Sequence, residues 1–453
     1  MAFCKYKISP RVLRVGAKST ITVEGLDETT LLFDDVDYEV SVMRTDGYKY
    51  EEGKDLMQRG RRLVETQVCR PNNGVLAFTY EFDYECEYEI KIARLEGDKH
   101  FPERQEKFYS GKRARLTKGF VFRVYALCDD LYEKRPFKSD FHIHTNESDG
   151  YDSPELVAAT YRKFGYDAIC ITDHYTMLGS KMAIDKLKDV DSGLKIFPGE
   201  EVHPLYGSIF HIVNLNGKSS VNDLYYANPE KADEEIRELS KTFEFPDEQD
   251  RMELAYFKWC FDKIREAGGI AVYPHALWTI FGAYNVRTEI SEYILKNKMC
   301  DAYEVLGGMS KRDNRLSIEL LAEMKRNGVD FPIVGSSDAH SVAEHGALHF
   351  DDVFSIVFAK DKEQIPEAVI NGDTIVVENF DPSDKIAHGN FRLVRYAYFL
   401  LDQYFATHDE ICLELGFALT RYVSGDNGQK TAIEEHFKTV KEYEDLFFGN
   451  NKL

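Results

Sequence analysis

Little in this 453-residue chain points to a covalent or thiolate-built scaffold. Its eight cysteines, Cys4, Cys69, Cys86, Cys128, Cys170, Cys260, Cys300 and Cys412, are scattered without any C-x-x-C spacing. That excludes a disulfide framework and a Cys-rich zinc site, and points to reduced thiols. Positive charge is also in deficit, with 57 Lys and Arg against 78 Asp and Glu and a formal net charge of −21. The broad basic footprint of a protein that binds long nucleic acid is therefore missing, although a local basic pocket for a small anion is not excluded. No stretch approaches the ~18 uncharged apolar residues of a membrane span. The opening MAFCKYKISPRVLRVG lacks an apolar core of signal-peptide length, so the expected location is the cytoplasm, away from membranes. There is no internal repeat and no low-complexity segment. What is present, 43% hydrophobic and 13% aromatic residues, suffices for an ordinary globular core. The length suggests about two to three domains.

Residues 1–136 read as all-β. Thr20-Ile21-Thr22-Val23, Tyr38-Glu39-Val40-Ser41-Val42 and Tyr88-Glu89-Ile90-Lys91-Ile92 alternate in polarity, and turn material such as Thr45-Asp46-Gly47 and Pro71-Asn72-Asn73-Gly74 separates such runs. Period-two alternation with frequent breaks predicts an antiparallel, immunoglobulin-like sandwich. From Phe137 the pattern changes to short apolar strands alternating with helices. The strands are Phe141–His144, Ala168–Thr172, Lys195–Phe197, Phe210–Val213, Ile270–Tyr273, Ala302–Val305 and Pro332–Gly335. Seven strand–helix repeats predict parallel strands, and closure into a barrel leaves no edge. Residues 137–388 are assigned to this α/β domain, with a charged insertion at about 216–255 that is either a solvated surface helix or a lid over the site entrance. Residues 389–453 read as a helical appendage.

Suggestive residues gather at the C-terminal ends of the proposed strands, where a (β/α) barrel places its site. His142 and His144 stand two apart on a strand and so project from one face. Their His-Ile-His-Thr run is followed by Ser148-Asp149-Gly150, and later strands end in Thr172-Asp173-His174, Gly199-Glu200-Glu201, His211, Tyr273-Pro274-His275 and Ser337-Asp338-Ala339-His340. Apolar strands that repeatedly end in imidazoles and carboxylates are hard to explain by core packing. Any one such histidine alone is more often a hydrogen-bonded structural residue.

Taken together, and in this order, these motifs resemble the PHP (polymerase and histidinol phosphatase) superfamily over roughly residues 138–380. The resemblance implies a distorted seven-stranded TIM-like (β/α) barrel holding up to three divalent metal ions. It implies that His142, His144 and Asp338 bind one metal. Glu201 would bridge it to a second, also held by His211 and His275, while Asp149, His174 and His340 bind a third. The same resemblance marks Asp149, His174, Glu201 and Asp338 as catalytic. The family's Gly-x-Glu spacing selects Glu201, with Glu200 as the alternative. The family's Ala-His-Pro is here Tyr273-Pro274-His275-Ala276, which predicts a differently shaped loop at His275. His203, His345 and His349 lie nearby without a motif role.

Imidazole and carboxylate ligands suit Zn, Mn or Fe. Neighbouring cations would make hydroxide available near neutral pH for in-line attack on phosphorus. The expected activity is hydrolysis of a small phosphate monoester, a nucleotide or a sugar phosphate. Cations at Lys311, Arg312 and Arg315, after Gly307-Gly308, either bind an anionic group of the substrate or are solvated residues at a helix start. Two other readings stay open: a metal-dependent hydrolase of an amide or lactone bond, and a binding or scaffold module without catalysis.

Overall fold

The computed structural model describes residues 5–26, 30, 32–48, 61–95, 119–203, 210–343 and 350–449. The chain divides into two units. One comprises Met1–Lys134, Tyr398–His408 and Thr439–Leu453; the other comprises Arg135–Ala397 and Asp409–Lys438.

The first unit carries β1 (Tyr6–Ser9), β2 (Val12–Arg14), β3 (Lys18–Gly25), β4 (Tyr38–Tyr48), β5 (Arg61–Cys69), β6 (Val75–Glu81), β7 (Cys86–Arg94) and β8 (Gly119–Leu127). They form two sheets, ordered β1-β3-β6 and β2-β8-β7-β4-β5. Every pairing is antiparallel except β2 with β8. The alternation seen in the sequence puts Ile21 and Val23, Val40 and Val42, and Ile90 and Ile92 into one core shared by both sheets. One expected turn is absent. Thr45-Asp46-Gly47 lies inside β4, where the register with β5 shifts between Arg44 and Tyr48. Polar residues mark a bulge here, fastened by Arg44 on Asp46 and by the Thr45 hydroxyl, which donates to the Glu87 carbonyl at 2.9 Å. At Pro71–Gly74 the chain does turn, with Asn73 and Gly74 at positive φ.

The second unit contains β9 (Arg135–Asp140), β10 (Ala168–Cys170), β11 (Lys195–Phe197), β12 (Gly199–Val202), β13 (Ile212–Leu215), β14 (Ile270–Tyr273), the short hairpin β15 (Thr279–Ile280) and β16 (Ala283–Tyr284), β17 (Ala302–Leu306), β18 (Ile333–Gly335), β19 (Val353–Ala359), β20 (Thr374–Glu378) and β21 (Ile386–His388). Its two larger sheets run β11-β10-β9-β19-β20-β21 and β12-β13-β14-β17-β18. Contrary to the uniformly parallel series expected, β13 runs antiparallel to both its neighbours, and β19 and β20 are antiparallel as well. The reason lies in the connections. Pro198 alone separates β11 in one sheet from β12 in the other, and only the nine residues 203–211 separate β12 from β13, too few for the crossover that would bring β13 back parallel. Among the described residues the strands form no closed ladder. Single bridges, Ile143 to Ala339 and His174 to Glu201, join the two sheets where the site lies. Phe137, Ala168, Cys170 and Phe197 from one sheet share a core with Val213, Val272, Ala302 and Val334 from the other.

Helices form where caps and apolar spacing agree. In Pro154–Lys163 the Ser153 side chain accepts from the Leu156 amide and proline occupies the first turn. The charged insertion folds as Val221–Ala227, Pro229–Ser240 and Glu248–Glu266, and buries Ile236, Leu254, Phe257 and Phe261. Its last helix runs past residue 255 and leads into β14, so it is a crossover of the fold as well as part of an insertion. No helix among the described residues is long and apolar enough to cross a membrane.

Candidate metal centre

Glu201 occupies the middle of a buried histidine cluster. Its Oε1 lies 3.2 Å from His142 Nε2, 2.9 Å from His211 Nδ1 and 3.0 Å from His275 Nε2. Its Oε2 lies 3.3 Å from His144 Nε2 and 3.0 Å from His174 Nδ1. Asp338 Oδ1 approaches His142 Nε2 at 3.3 Å and His144 Nε2 at 3.1 Å. On the outer side Asp149 Oδ2 meets His174 Nε2 at 3.6 Å and His340 Nε2 at 3.4 Å. All nine ligands expected from the motifs are thus brought together.

The strand alternation decides between the two glutamates. On β12, Glu200 points the other way and accepts from Ser220 Oγ, the Val221 amide, Asn214 and Asn222. His142 and His144 lie just past the end of β9 rather than within it, flanking the bridge at Ile143. Asp173 holds their loop, accepting from the Thr145 amide and hydroxyl at 2.7 Å each and from Ser148 Oγ at 2.8 Å. Two ligands, His275 at φ 25° and Asp338 at φ 51°, occupy left-handed backbone, which costs a non-glycine residue conformational strain. Gly308 lets Asp338 sit where it does, because a Cβ there would fall 2.7 Å from Asp338 Cβ. Gly307 backs onto Glu304 in the same way, with a Cβ 2.6 Å from Oε1. The two glycines therefore serve close packing behind the ligands.

Glu304 was not among the expected site residues. It is fully buried on β17, and its Oε2 lies 2.9 Å from His142 Nδ1. A carboxylate only accepts, so Nδ1 carries the proton and Nε2 turns its lone pair toward the cluster. The sequence signal was a carboxylate inside an otherwise apolar strand, which needs a partner when buried. His203 is the second addition. Its ring lies 4.7 Å from His211 and 5.3 Å from His174. His345 and His349 fall outside the described residues. The cations Lys311, Arg312 and Arg315 are exposed: Arg315 pairs with Glu319 at 2.6 Å and Lys311 lies over the Phe380 ring. No contact joins them to the cluster among the described residues.

The electrostatics follow from this crowding. Burial would raise the Glu201 carboxyl, but His211 and His142 outweigh it and hold it well below the usual carboxylate range. Asp338 is lowered in the same way, burial losing to His142 and His144. Hydrogen bonds from His174 and His340 hold Asp149 low. Burial lowers His174, yet Asp149 and Glu201 push it up to about 10. His211, by contrast, is lowered by its burial.

The donors fit a metal. Nε2 of His142 and His144 and Nδ1 of His174 and His211 are buried and make no hydrogen bond, although each lies within 2.9–3.3 Å of Glu201. Imidazole nitrogens that converge beside a carboxylate without aligning on it suit a shared cation once they give up any proton they carry. Several overlapping sets have ligand atoms within 4.8 Å of one another, among them His144, Asp149, His174 and His340; His142, His275 and Asp338; Glu201, His211 and His275; His142, His144 and Glu201; and His174, His203 and His211. Beside Asp149 and His174 a cleft of about 720 Å³ opens.

Comparison with solved structures finds a two-domain protein from Bacteroides vulgatus described as containing a predicted PHP-like metal-dependent phosphoesterase, at 17% identity, TM-score 0.37, over 54% of this chain and 66% of that one. A protein from Bifidobacterium adolescentis, inferred to be a metal-dependent phosphoesterase, matches at 18% identity and TM-score 0.34 over 47% of this chain and 93% of that one. An amidohydrolase from Chromobacterium violaceum, with bound sulfate and no metal, matches at 17% identity and TM-score 0.32 over 54% and 99%. No curated protein matches. The family model for the PHP domain matches residues 140–322, a span that holds His142, His144, Asp149, His174, Glu201, His211 and His275 and stops before Asp338 and His340. Over those residues the chain is similar to the PHP domain.

Proposed function

We propose that this protein is a metal-dependent phosphoesterase that hydrolyses a small phosphate monoester. The observation that carries the reading is the five imidazoles around the Glu201 carboxylate, flanked by Asp149 and Asp338 and opening onto a cleft. We assign these residues to three neighbouring sites for Zn, Mn or Fe: His142, His144 and Asp338 at one, His211 and His275 at a second with Glu201 common to both, and Asp149, His174 and His340 at the third. We read the two bridged sheets as a distorted PHP-type barrel and the eight N-terminal strands as an immunoglobulin-like sandwich.

When bound, divalent cations would supply Lewis acidity, making hydroxide available near neutral pH and neutralising the phosphoryl oxygens. The protein's own contribution is position. Glu304 orients His142, Asp173 holds the His144 loop, and Asp149, with His340 beside it, lines the cleft. A phosphoester suits such a site because its charge is spread over several oxygens. The net charge of −21 supports a small substrate over long nucleic acid.

The test is elemental analysis of the purified protein, followed by phosphate release from a panel of monoesters with and without chelator. Two or three equivalents of metal with chelator-sensitive release are expected, and His142→Ala should retain less than about a tenth of that activity. Turnover of amides or lactones in place of phosphate esters would overturn the choice of bond. A protein that takes up no metal under any loading condition would overturn the enzymatic reading.

A further inference from the structure

The cleft beside the cluster has an unusual wall. Asp149 and His174 form its inner end, and Tyr175, Leu178 and His203 line it further out. Tyr175 holds φ 65°, left-handed backbone that a bulky residue rarely adopts, and its amide donates to the Glu201 carbonyl at 3.3 Å. One face of its ring stacks on His203 at 4.5 Å between centroids, yet the residue remains 45% exposed. Leu178 is 48% exposed beside it.

Charge on the cleft is one-sided. No lysine or arginine lines it among the described residues, while Glu147 and Asp149 do. Away from the cluster, a second phosphate or carboxylate on the substrate would meet these carboxylates with no lysine or arginine among the described lining residues to pair it.

We propose that this cleft receives the leaving alcohol and selects an uncharged alcohol whose planar ring stacks on the outer face of Tyr175. The inference rests on the phosphoesterase reading and adds a substrate class to it. In the reaction the oxygen of water forms a new bond to phosphorus and the phosphorus–oxygen bond to the alcohol breaks. The departing oxygen takes up a proton that the water has lost. Tyr175 touches only the alcohol and serves specificity.

Two measurements on the metal-loaded full-length protein test this. The first is calorimetric binding of benzylphosphonate against methylphosphonate. The second is kcat/KM for phenyl phosphate, glycerol 3-phosphate and fructose 1,6-bisphosphate. Wild type should bind benzylphosphonate about tenfold more tightly than methylphosphonate, the order of one aromatic stacking contact. Tyr175→Gly removes the ring and also relieves the positive φ, so strain gives it no reason to misfold. It should bring the two affinities within about threefold and lower the preference for phenyl over glycerol phosphate equally, while Tyr175→Phe keeps both. An unchanged preference in Tyr175→Gly, or fructose 1,6-bisphosphate as the best substrate, overturns the inference. Tyr175-dependent binding without hydrolysis of any ester would sink the phosphoesterase reading and leave the cleft's selectivity standing. Hydrolysis without ring preference would do the reverse.

Discussion

Replacing Glu304 by glutamine changes one atom type and little volume, yet it should weaken metal binding at a distance from the ligands. The carboxylate has two tasks. Its Oε2 fixes the Nδ1 proton of His142 at 2.9 Å, and its Oε1 accepts from the His275 amide at 3.3 Å. Both partners are donors, and an amide has only one acceptor. In Glu304→Gln either the His142 imidazole or the His275 amide must face an NH2 group, inside a site with 0% exposure. A buried donor left unsatisfied costs about 1–3 kcal/mol. If His142 loses its partner, its tautomer is no longer held and its Nε2 lone pair is available only part of the time. Loss of such a supporting hydrogen bond typically lowers metal affinity about 10–100-fold, equivalent to roughly 1.4–2.7 kcal/mol. Competition between the protein and a calibrated chelator reads the affinity directly, and circular dichroism shows whether the fold persists. Affinity within about twofold of wild type in a folded Glu304→Gln protein would refute the argument that this carboxylate orients His142.

Glu200 offers the matching control, because its carboxylate accepts four hydrogen bonds away from the cluster. Glu200→Gln should lower stability by about 1–3 kcal/mol in denaturant unfolding yet leave metal affinity unchanged, and a large loss of metal would contradict the assigned direction of the two glutamates. Gly308→Ala should displace Asp338, since the added Cβ would sit 2.7 Å from its Cβ and 2.6 Å from the Ser337 carbonyl. Metal content and phosphate release should fall together, and a fully active Gly308→Ala protein would count against that packing. Metal affinity should also depend on pH. With its pKa raised to about 10 by Asp149 and Glu201 against the effect of burial, His174 is protonated at neutral pH in the metal-free protein. A cation must displace that proton, so affinity rises with pH toward that value and falls on acidification. Calorimetry in two buffers of different ionisation enthalpy should detect proton release at pH ~7, and none at all would contradict the prediction.

Much of the candidate site was legible because its ligands sit in short local motifs. His-x-His-Thr, Thr-Asp-His and Ser-Asp-Ala-His each keep their chemistry within a few residues, and each ends a strand or lies just beyond one. The all-β character of the first residues and the strand–helix alternation after Phe137 could likewise be read from periodicity. Less legible was anything set by parity, direction or packing between distant segments. Thr45-Asp46-Gly47 has the composition of a turn, but β4 bulges through it and resumes its pairing with β5 at Tyr48. The reversal of β13 goes with the short connection from β12, residues 203–211, which strand propensity does not report.

The sequence by itself determined which candidate ligands are on offer: nitrogen and oxygen donors without thiolates, in an acidic chain whose motifs carry their own order. Tertiary structure decided which of two adjacent glutamates enters the cluster, because alternate residues of a strand face opposite sides and only the packed neighbours say which side is which. It also recruited Glu304 to His142 across 162 residues of chain, and it placed Tyr175 and His203 at the cleft while leaving Lys311, Arg312 and Arg315 out of contact with the ligands. The physical reason is common to these cases. A ligand's identity is a property of its side chain, whereas its direction and its partner are properties of the packing around it.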